Sequence, residues 1–227
     1  GRRLFTMYRR GDDEVVVALD RDTGETLWER SWTAKPLAGF FDAYGHGPHS
    51  TPLATGDRVY AAGIAGRLVC LEAGTGRVAW ERDLWEGYER DTEGAGPAAI
   101  GYTASPLLHR HMVIAAGGAP ERSVMARHRD TGETIWEAEG YEPAFASPIL
   151  IDVGGQLQIV LFAVDLVFGL DVETGERLWE HEHKTSYKVN ASTPVWDGES
   201  LLFISSAYDS GSRALKLTRG DDGKTRV

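Results

Sequence analysis

The chain repeats one short pattern four times, and this repetition limits its fold more than any other feature. In each copy, Thr-Gly is followed after three residues by tryptophan, and successive tryptophans are 52, 56 and 43 residues apart. A period of about 50 residues is the length of one β-propeller blade. The four sets are Thr23, Gly24 and Trp28; Thr75, Gly76 and Trp80; Thr131, Gly132 and Trp136; and Thr174, Gly175 and Trp179.

A second signature, Ser or Thr followed by proline, alternates with the first. The distance from such a proline to the next repeat tryptophan is 28, 30 or 31 residues, which leaves room for four short strands with tight turns. Proline has no amide donor, so it marks the entrance of the first strand. Each unit is therefore predicted to be a four-stranded antiparallel meander. The signatures are Thr51-Pro52, Ser105-Pro106, Ser147-Pro148 and Thr193-Pro194.

The constant spacing within the repeat predicts a structural role for its three fixed residues. Glycine supplies the positive φ that a tight hairpin requires, and Thr-Gly lies where the chain must reverse. The tryptophan falls on the following strand, where its indole is expected to lie between adjacent sheets. Independent core tryptophans are the alternative, but they would not explain the fixed offset from Thr-Gly.

Composition excludes several classes of partner. The chain has 227 residues and a formal net charge of −10, so its own field opposes binding to nucleic acid or to an anionic membrane. No apolar run approaches the roughly 20 residues of a transmembrane helix. Cys70 is the one cysteine, so an intramolecular disulfide is impossible. We expect no nucleic-acid partner and no transmembrane segment.

The first copy, Ala18 to Trp28, reads Ala-x-Asp-x-x-Thr-Gly-x-x-x-Trp, and the later copies depart from it at Cys70, Glu72, His128 and Gly169. This motif resembles the docking sequence of the PQQ-repeat (quinoprotein-like) β-propeller family, with the noncatalytic BamB-like propellers as its nearest branch. The resemblance implies an all-β propeller of four-stranded antiparallel blades. It also implies an exported bacterial protein in the periplasm or cell envelope.

Propellers of this family usually close with about eight blades, whereas this chain has length for about four and a half. We expect a single propeller segment over residues 1–227, an incomplete (fragment) propeller of an eight-bladed parent. Closure as five blades is an alternative, and so is a structural β-arc within a larger chain. The predicted divisions are a partial blade 1–35, blades at about 49–85, 102–140 and 144–184, and a partial blade 190–227.

Binding residues are expected in the loops that precede the proline signatures, because such loops converge on the central channel of a propeller. Tyrosines with nearby polar groups would form a funnel suited to a peptide, a glycan or a flat cofactor. The alternative is that the tyrosines only pack the blade entrances. The funnel candidates are Tyr44, His46, His49, Tyr102, Tyr141, Phe145, Tyr187, Lys188 and Asn190.

The resemblance also implies a catalytic alternative. Quinoprotein dehydrogenases of the family hold PQQ with calcium, stack it on a vicinal Cys-Cys disulfide and use an Asp base. This chain has no Cys-Cys pair, and Asp42, Glu142 and Asp209 match no such motif. We therefore expect a noncatalytic binding or scaffolding propeller without cofactor, which presents loops to a protein partner or small ligand at its face. The alternative is a fragment of a PQQ- and calcium-dependent quinoprotein alcohol or sugar dehydrogenase.

Histidine pairs raise the question of a metal site. His109 and His111, and likewise His181 and His183, lie two residues apart on predicted strands, so each pair shares a face. His46 and His49 form a third pair. Because no third ligand is identifiable, no metal site is predicted.

Overall fold

A computed structural model of the chain describes residues 1–35, 45–87, 101–117 and 122–227, and β-strands are the regular structure in these ranges. No helix in the described ranges is long and apolar enough to cross a membrane. The strands are β1 (Arg3–Arg10), β2 (Asp13–Asp20), β3 (Thr26–Thr33), β4 (Leu53–Ala54), β5 (Arg58–Ala62), β6 (Arg67–Glu72), β7 (Val78–Asp83), β8 (Leu107–His109), β9 (Met112–Ala116), β10 (Val124–His128), β11 (Thr134–Ala138), β12 (Ile149–Val153), β13 (Gln156–Phe162), β14 (Leu166–Asp171), β15 (Arg177–Glu182), β16 (Val195–Trp196), β17 (Leu201–Ser206), β18 (Gly211–Lys216), β19 (Thr218–Arg219) and β20 (Thr225–Arg226).

The strands form successive antiparallel meanders. Three sheets have four strands each, in the orders β4-β5-β6-β7, β8-β9-β10-β11 and β12-β13-β14-β15. The sheet β1-β2-β3 precedes them, and the sheet β16-β17-β18 and the hairpin β19-β20 follow. The sheets are called the first to fifth blades in chain order. The predicted all-β propeller architecture of four-stranded antiparallel blades is confirmed, while the division of the whole chain into one domain with the stated limits stays a prediction.

The hydrophobic core lies in the seams between blades. One cluster joins the first and second blades through Val16, Val59 and Leu71. A larger cluster joins the second, third and fourth blades, and a third cluster joins the fourth and fifth. Burying apolar side chains in this way stabilises each blade mainly through contact with its neighbours.

The Asp-x-x-Thr-Gly part of the repeat is explained by the turn that it forms. In the first blade, the Asp20 carboxylate accepts hydrogen bonds from the backbone N–H groups of Asp22 and Thr23. The Thr23 hydroxyl then accepts the N–H of Glu25, and Gly24 adopts a φ of 74°. Equivalent threonine contacts recur in the three complete blades. The side chains of each copy therefore accept hydrogen bonds from the backbone N–H groups of its own turn.

At three seams the repeat tryptophan reaches the next blade. The indole N–H groups of Trp28, Trp80 and Trp136 donate to the backbone carbonyls of Ala73, Arg129 and Val172, at 3.1, 2.8 and 3.1 Å. The indole of Trp136 covers Gly175, where a Cβ atom would lie 2.5 Å from the ring. Gly175 thus needs glycine both for its positive φ and for this close approach. Gly76 and Gly132 are covered in the same way by Trp28 and Trp80.

Trp179 departs from this arrangement. It lies in the hydrophobic cluster between the fourth and fifth blades, but its indole N–H donates to the side-chain carbonyl of Gln158 on its own blade, at 2.6 Å. Gly169 lies directly beneath the indole, where the other copies have Ala18, Cys70 or Ala126. No Thr-Gly pair follows Trp179 in the sequence, so this indole covers no glycine of the kind found at Gly76, Gly132 and Gly175.

The Ser/Thr-Pro signature also links neighbouring blades. The backbone N–H of Thr51 donates to the Ser105 hydroxyl, and the N–H of Ser105 donates to the Ser147 hydroxyl, both at 2.9 Å. These residues each precede the proline of their blade. The hydroxyls of Ser105 and Ser147 therefore each accept a hydrogen bond from a backbone N–H of the preceding blade. These N–H groups lie ahead of the first strand of their blade, where strand pairing does not yet use them.

Candidate functional site

Loops from the third, fourth and fifth blades meet at one end of the propeller. The Thr103 hydroxyl donates to the Phe145 carbonyl at 3.2 Å. The N–H groups of Phe145 and Ala146 donate to the Asn190 carbonyl at 3.1 and 3.0 Å. Two of the predicted funnel residues, Phe145 and Asn190, are thus brought into direct contact.

Asn190 is the centre of this corner and is fully buried. Its amide nitrogen donates to the carbonyls of Ala163 and Val164, at 2.7 and 3.0 Å. Because carbonyls only accept, these contacts fix the orientation of the amide, and its oxygen accepts the Ser206 hydroxyl. One side chain therefore joins the fourth blade, the fifth blade and the loop between them.

His183 completes the network behind Asn190. Its side chain is 1% exposed, and its Nε2 lies 3.1 Å from the Ser206 hydroxyl oxygen. The Ser206 hydroxyl donates its one proton to the Asn190 side-chain oxygen. The hydrogen bond between His183 and Ser206 therefore needs a proton on Nε2, which donates to the Ser206 oxygen. The imidazole edge packs against Phe162 with ring centroids 5.2 Å apart. Among the described residues, no group hydrogen-bonds Nδ1, so the neutral imidazole fits this site and the charged form does not.

The site of His183 predicts a loss of stability in acid. Burial, together with the charges of Arg213 and His181, lowers the pKa of His183 below its ordinary value of 6.5. Below pH 6.5 the unfolded chain takes up this proton first, so stability falls as the pH drops from 6.5 through the folded pKa. We expect His183→Gln to lose less unfolding free energy than the unmodified protein between pH 7.5 and 5, as measured by urea denaturation. Equal losses would contradict this role.

The exposed part of the corner is an aromatic pair. Tyr187 and Tyr208 are 59% and 42% exposed, and their rings meet edge to face with centroids 4.9 Å apart. Lys188, beside Tyr187, forms an ion pair with Glu142 at 3.0 Å. Lys188, Tyr208 and Asp209 all have positive φ, which is costly for residues other than glycine and is concentrated at functional sites. The surface combines flat apolar rings with hydrogen-bonding groups, as ligand sites do.

Two further funnel candidates, Tyr102 and Tyr141, are buried. Tyr102 and Tyr141 are 2% and 6% exposed. Tyr102 packs edge-on against Trp85, and Tyr141 stacks on Phe168 with centroids 3.7 Å apart. Burial raises the pKa of both phenols. The expectation of a ring of accessible tyrosines is therefore corrected: these two pack the blade seams, since apolar neighbours from adjoining blades enclose them.

His46 and His49 lie between the first and second blades in the chain. The His46 carbonyl accepts the Arg9 guanidinium at 2.6 Å. His49 is half-buried, and this burial lowers its pKa. Tyr44 lies outside the described residues. The binding roles of His46, His49 and Tyr44 stay predictions.

Three residues at the site were missed by sequence reasoning, and a fourth was missed at a seam. Ser206 and Tyr208 come from the fifth blade, and His183 was considered only as a metal ligand. Glu14 is fully buried between the first and second blades, where it accepts the Trp32 indole N–H and the Ile64 backbone N–H, at 3.1 and 2.8 Å. Burial raises its pKa. A charged residue inside the Val-rich strand β2 was the signal that could have identified it.

Within the described ranges, neither the cavity beside Tyr141 and Phe168 nor the histidine pairs form a site for PQQ with calcium. The cavity beside Tyr141 and Phe168 has a volume of about 20 Å³, which is room for a single water molecule. His109 Nε2 lies 3.3 Å from a carboxylate oxygen of Glu173, and His183 Nε2 is hydrogen-bonded to the Ser206 hydroxyl. Within the described ranges, no three His, Cys, Asp or Glu side chains group as a metal site would require. No reaction step is therefore assigned through this cofactor.

The blades, their tryptophan seams and their loop corner define a repeat propeller of the PQQ type. The family model described as "Outer membrane protein assembly factor BamB" matches residues 12–221, and the chain belongs to this PQQ-repeat family.

Solved structures support the same fold. BamB from Moraxella catarrhalis matches with a TM-score of 0.66 and 18% identity over 99% of this chain and 59% of that chain. Quinohemoprotein alcohol dehydrogenase from Comamonas testosteroni matches with a TM-score of 0.56 and 17% identity, over 94% of this chain and 38% of that chain.

One curated relative is similar in sequence. Quinohemoprotein alcohol dehydrogenase ADH IIB of Pseudomonas putida is 30% identical over an alignment of 128 residues, and the match covers 53% of this chain and 17% of that protein. This chain thus spans under two thirds of the length of each of these three proteins.

Proposed function

We propose that the chain is a noncatalytic binding and scaffolding propeller that presents the Tyr187–Tyr208 corner to a protein partner or small ligand. The observation that carries this proposal is the exposed aromatic pair, whose residues lie two to three positions from Ser206 and Asn190 of the buried network. Rigid support lowers the conformational entropy that a binding surface loses when it is occupied. Tyrosine also combines apolar area with a hydrogen-bonding group.

We further propose a location in the bacterial periplasm or cell envelope. Support comes from the family description, which names an outer-membrane assembly factor. The net charge of −10 favours partners with basic surfaces.

A photo-crosslinking residue at the Tyr208 position tests the proposal. In the envelope fraction of a host that expresses the protein, we expect one discrete cross-linked partner that mass spectrometry identifies. The same crosslinker at exposed Ile135, on the outer strand β11, is the matched control. Equal cross-linking patterns at both positions would contradict a site at this corner.

The second candidate is a segment of a quinoprotein alcohol dehydrogenase. It is favoured by the 30% identity to quinohemoprotein alcohol dehydrogenase ADH IIB. Reconstitution with PQQ and Ca²⁺ separates the two functions. A binding module is expected to give no quinone absorbance after desalting and no dye-linked alcohol oxidation, whereas turnover would establish the enzyme.

A further inference from the structure

Glu14 is a buried carboxyl group that the repeat does not require. It lies on β2, four residues before Ala18, the small residue that pairs with Trp28. The residues four before the corresponding small residue in the complete blades are Gly66, Arg122 and Asp165. Asp165 is exposed, so a buried carboxyl group at this position is particular to the first blade. Its burial must be explained by its own contacts.

The two oxygens of Glu14 contact two different blades. Oε2 accepts the indole N–H of Trp32, on β3 of the same blade, at 3.1 Å. Oε1 accepts the backbone N–H of Ile64, in the turn between β5 and β6 of the second blade, at 2.8 Å. Gly63 lies against this pair, and a Cβ atom there would collide with Oε2. Glu14 therefore closes the seam at a point where side chain meets main chain.

The turn that contains Ile64 is tied down from both sides. The Gly63 carbonyl accepts the N–H of Gly66 at 2.9 Å, and the Ile64 carbonyl accepts the N–H of Tyr102, ahead of the third blade, at 2.8 Å. Hydrogen bonds on both sides of a peptide group strengthen one another. The contact of Glu14 with Ile64 is therefore part of a chain across three blades, whereas its contact with Trp32 stays within the first blade.

Arg9 is the cation nearest to Glu14 in the strand register, but its hydrogen bonds go elsewhere. It pairs with Glu14 across β1 and β2, yet its two terminal nitrogens donate to the carbonyls of His46 and Ala34. The printed sequence between residues 45 and 227, as far as the structure describes it, gives Glu14 no ion pair. Its described partners are the neutral N–H donors of the seam.

The other charged groups around the seam are also engaged. Arg67 of β6 lies over the Trp32 ring, with its Cζ atom 5.7 Å from the ring centroid, and pairs with Glu81. The loop that leads to β4 contributes two further titratable groups, His46 and His49. Proton exchange at Glu14 therefore changes the charge of the seam without a neighbouring ion pair to compensate for it.

The ionised form of Glu14 is the costly one in this seam. Burial raises its pKa above the ordinary value of 4.5 and outweighs the two N–H contacts and the charge of Arg9, which lower it. The folded chain thus binds this proton more tightly than the unfolded chain. The stability that results is fully present below pH 4.5 and is lost as the pH rises through the folded pKa.

Proton uptake cannot leave both contacts of Glu14 equally strong. The oxygen that takes the proton becomes a donor and a weaker acceptor, and each oxygen faces an N–H donor. We propose that Glu14 is a proton-operated switch at the seam between the first and second blades: the ionised side chain holds the Trp32 indole, and proton uptake releases it while the contact with Ile64 is kept. The longer distance to Trp32 and the supported turn at Ile64 fix this order. The switch is distinct from the Tyr187–Tyr208 corner.

An NMR titration of the full chain from pH 8 to pH 4 tests the proposal through the Trp32 indole N–H and the Ile64 backbone amide. We expect both chemical shifts to change with one common midpoint. Below it, the protection of the Trp32 indole against hydrogen exchange should fall about tenfold, the loss of one hydrogen bond. The protection of Ile64 should be retained.

Two variants test whether Glu14 is the titrating group. Glu14→Gln should remove the pH dependence from both signals. Trp32→Phe keeps an aromatic ring but removes an N–H that favours the ionised form, so the midpoint of the Ile64 shift should rise. Glu25→Gln, an exposed change in the same blade, is the matched control and should leave both curves unchanged.

Urea denaturation adds an independent readout. Because the folded chain binds the proton of Glu14 more tightly, the unmodified protein should gain unfolding free energy relative to Glu14→Gln between pH 7.5 and 5. A gain by Glu14→Gln instead would contradict the proposal.

Three NMR results would overturn the inference: no titration of the two signals, a titration that persists in Glu14→Gln, or loss of protection at Ile64 with that of Trp32 retained. The second result would assign the pH dependence to another group, such as His46 or His49. If Glu14→Gln did not fold, an unchanged midpoint in Trp32→Phe would decide against the switch.

Discussion

Trp136→Ala is expected to lower the free energy of unfolding by about 3–5 kcal/mol. The indole is 8% exposed, covers Gly175 of the next blade and donates to the Val172 carbonyl. Its removal leaves a cavity in the seam between the third and fourth blades and an unpaired carbonyl. Chemical denaturation followed by circular dichroism measures the change.

Trp136→Phe provides the matched control. Phenylalanine keeps an aromatic ring in the seam but has no N–H for Val172, so a smaller loss of about 1–2 kcal/mol is expected. If Trp136→Ala cost less than Trp136→Phe, the tryptophan would not hold the two blades together. The docking role proposed for the repeat tryptophans would then fail.

Asn190→Asp is expected to destabilise the protein by about 3–5 kcal/mol at pH 7, although the two side chains have nearly the same shape. The substitution replaces the amide nitrogen that donates to Ala163 and Val164 with an oxygen that faces both carbonyls. Burial would also raise the pKa of the new carboxyl group. The penalty relative to the unmodified protein should therefore shrink as the pH falls, because protonation removes the buried charge.

Glu142→Gln is the corresponding exchange at an exposed position. Glu142 pairs with Lys188 on the surface, where the loss of an ion pair is worth about 0–1 kcal/mol. Urea denaturation of both variants at pH 7 and pH 5 gives the comparison. A cost for Asn190→Asp no larger than that for Glu142→Gln would show that the buried network does not hold the corner.

The blade architecture was predictable because the repeat carries its own local chemistry. Thr23 and Asp20 close their turn with groups no more than three residues away, so spacing alone reveals it. The Asn190 network was not predictable in this way, because its carbonyl acceptors lie 26 and 27 residues earlier. The turn between β13 and β14 holds these two carbonyls beside Asn190, which follows β15 in the chain.

Accessibility was the property that sequence reasoning predicted least well. Tyr102, Tyr141 and Tyr187 occupy comparable loops, yet Tyr187 alone among them is exposed. The difference arises from neighbours on other blades, such as Phe168 beneath Tyr141. Trp179 similarly has no later Thr-Gly pair to cover, and its indole N–H donates to Gln158 of its own blade.

The hydroxyl contacts among Thr51, Ser105 and Ser147 have a consequence for how such chains lengthen. Ser105 serves both neighbours, since its N–H donates to Ser147 and its hydroxyl accepts from Thr51. A duplicated repeat would thus carry both the N–H donor and the hydroxyl acceptor of this contact. It could form the contact with the neighbouring original repeat without any mutation. The repeat unit is therefore compatible with lengthening by tandem duplication, because each copy carries both partners of this contact.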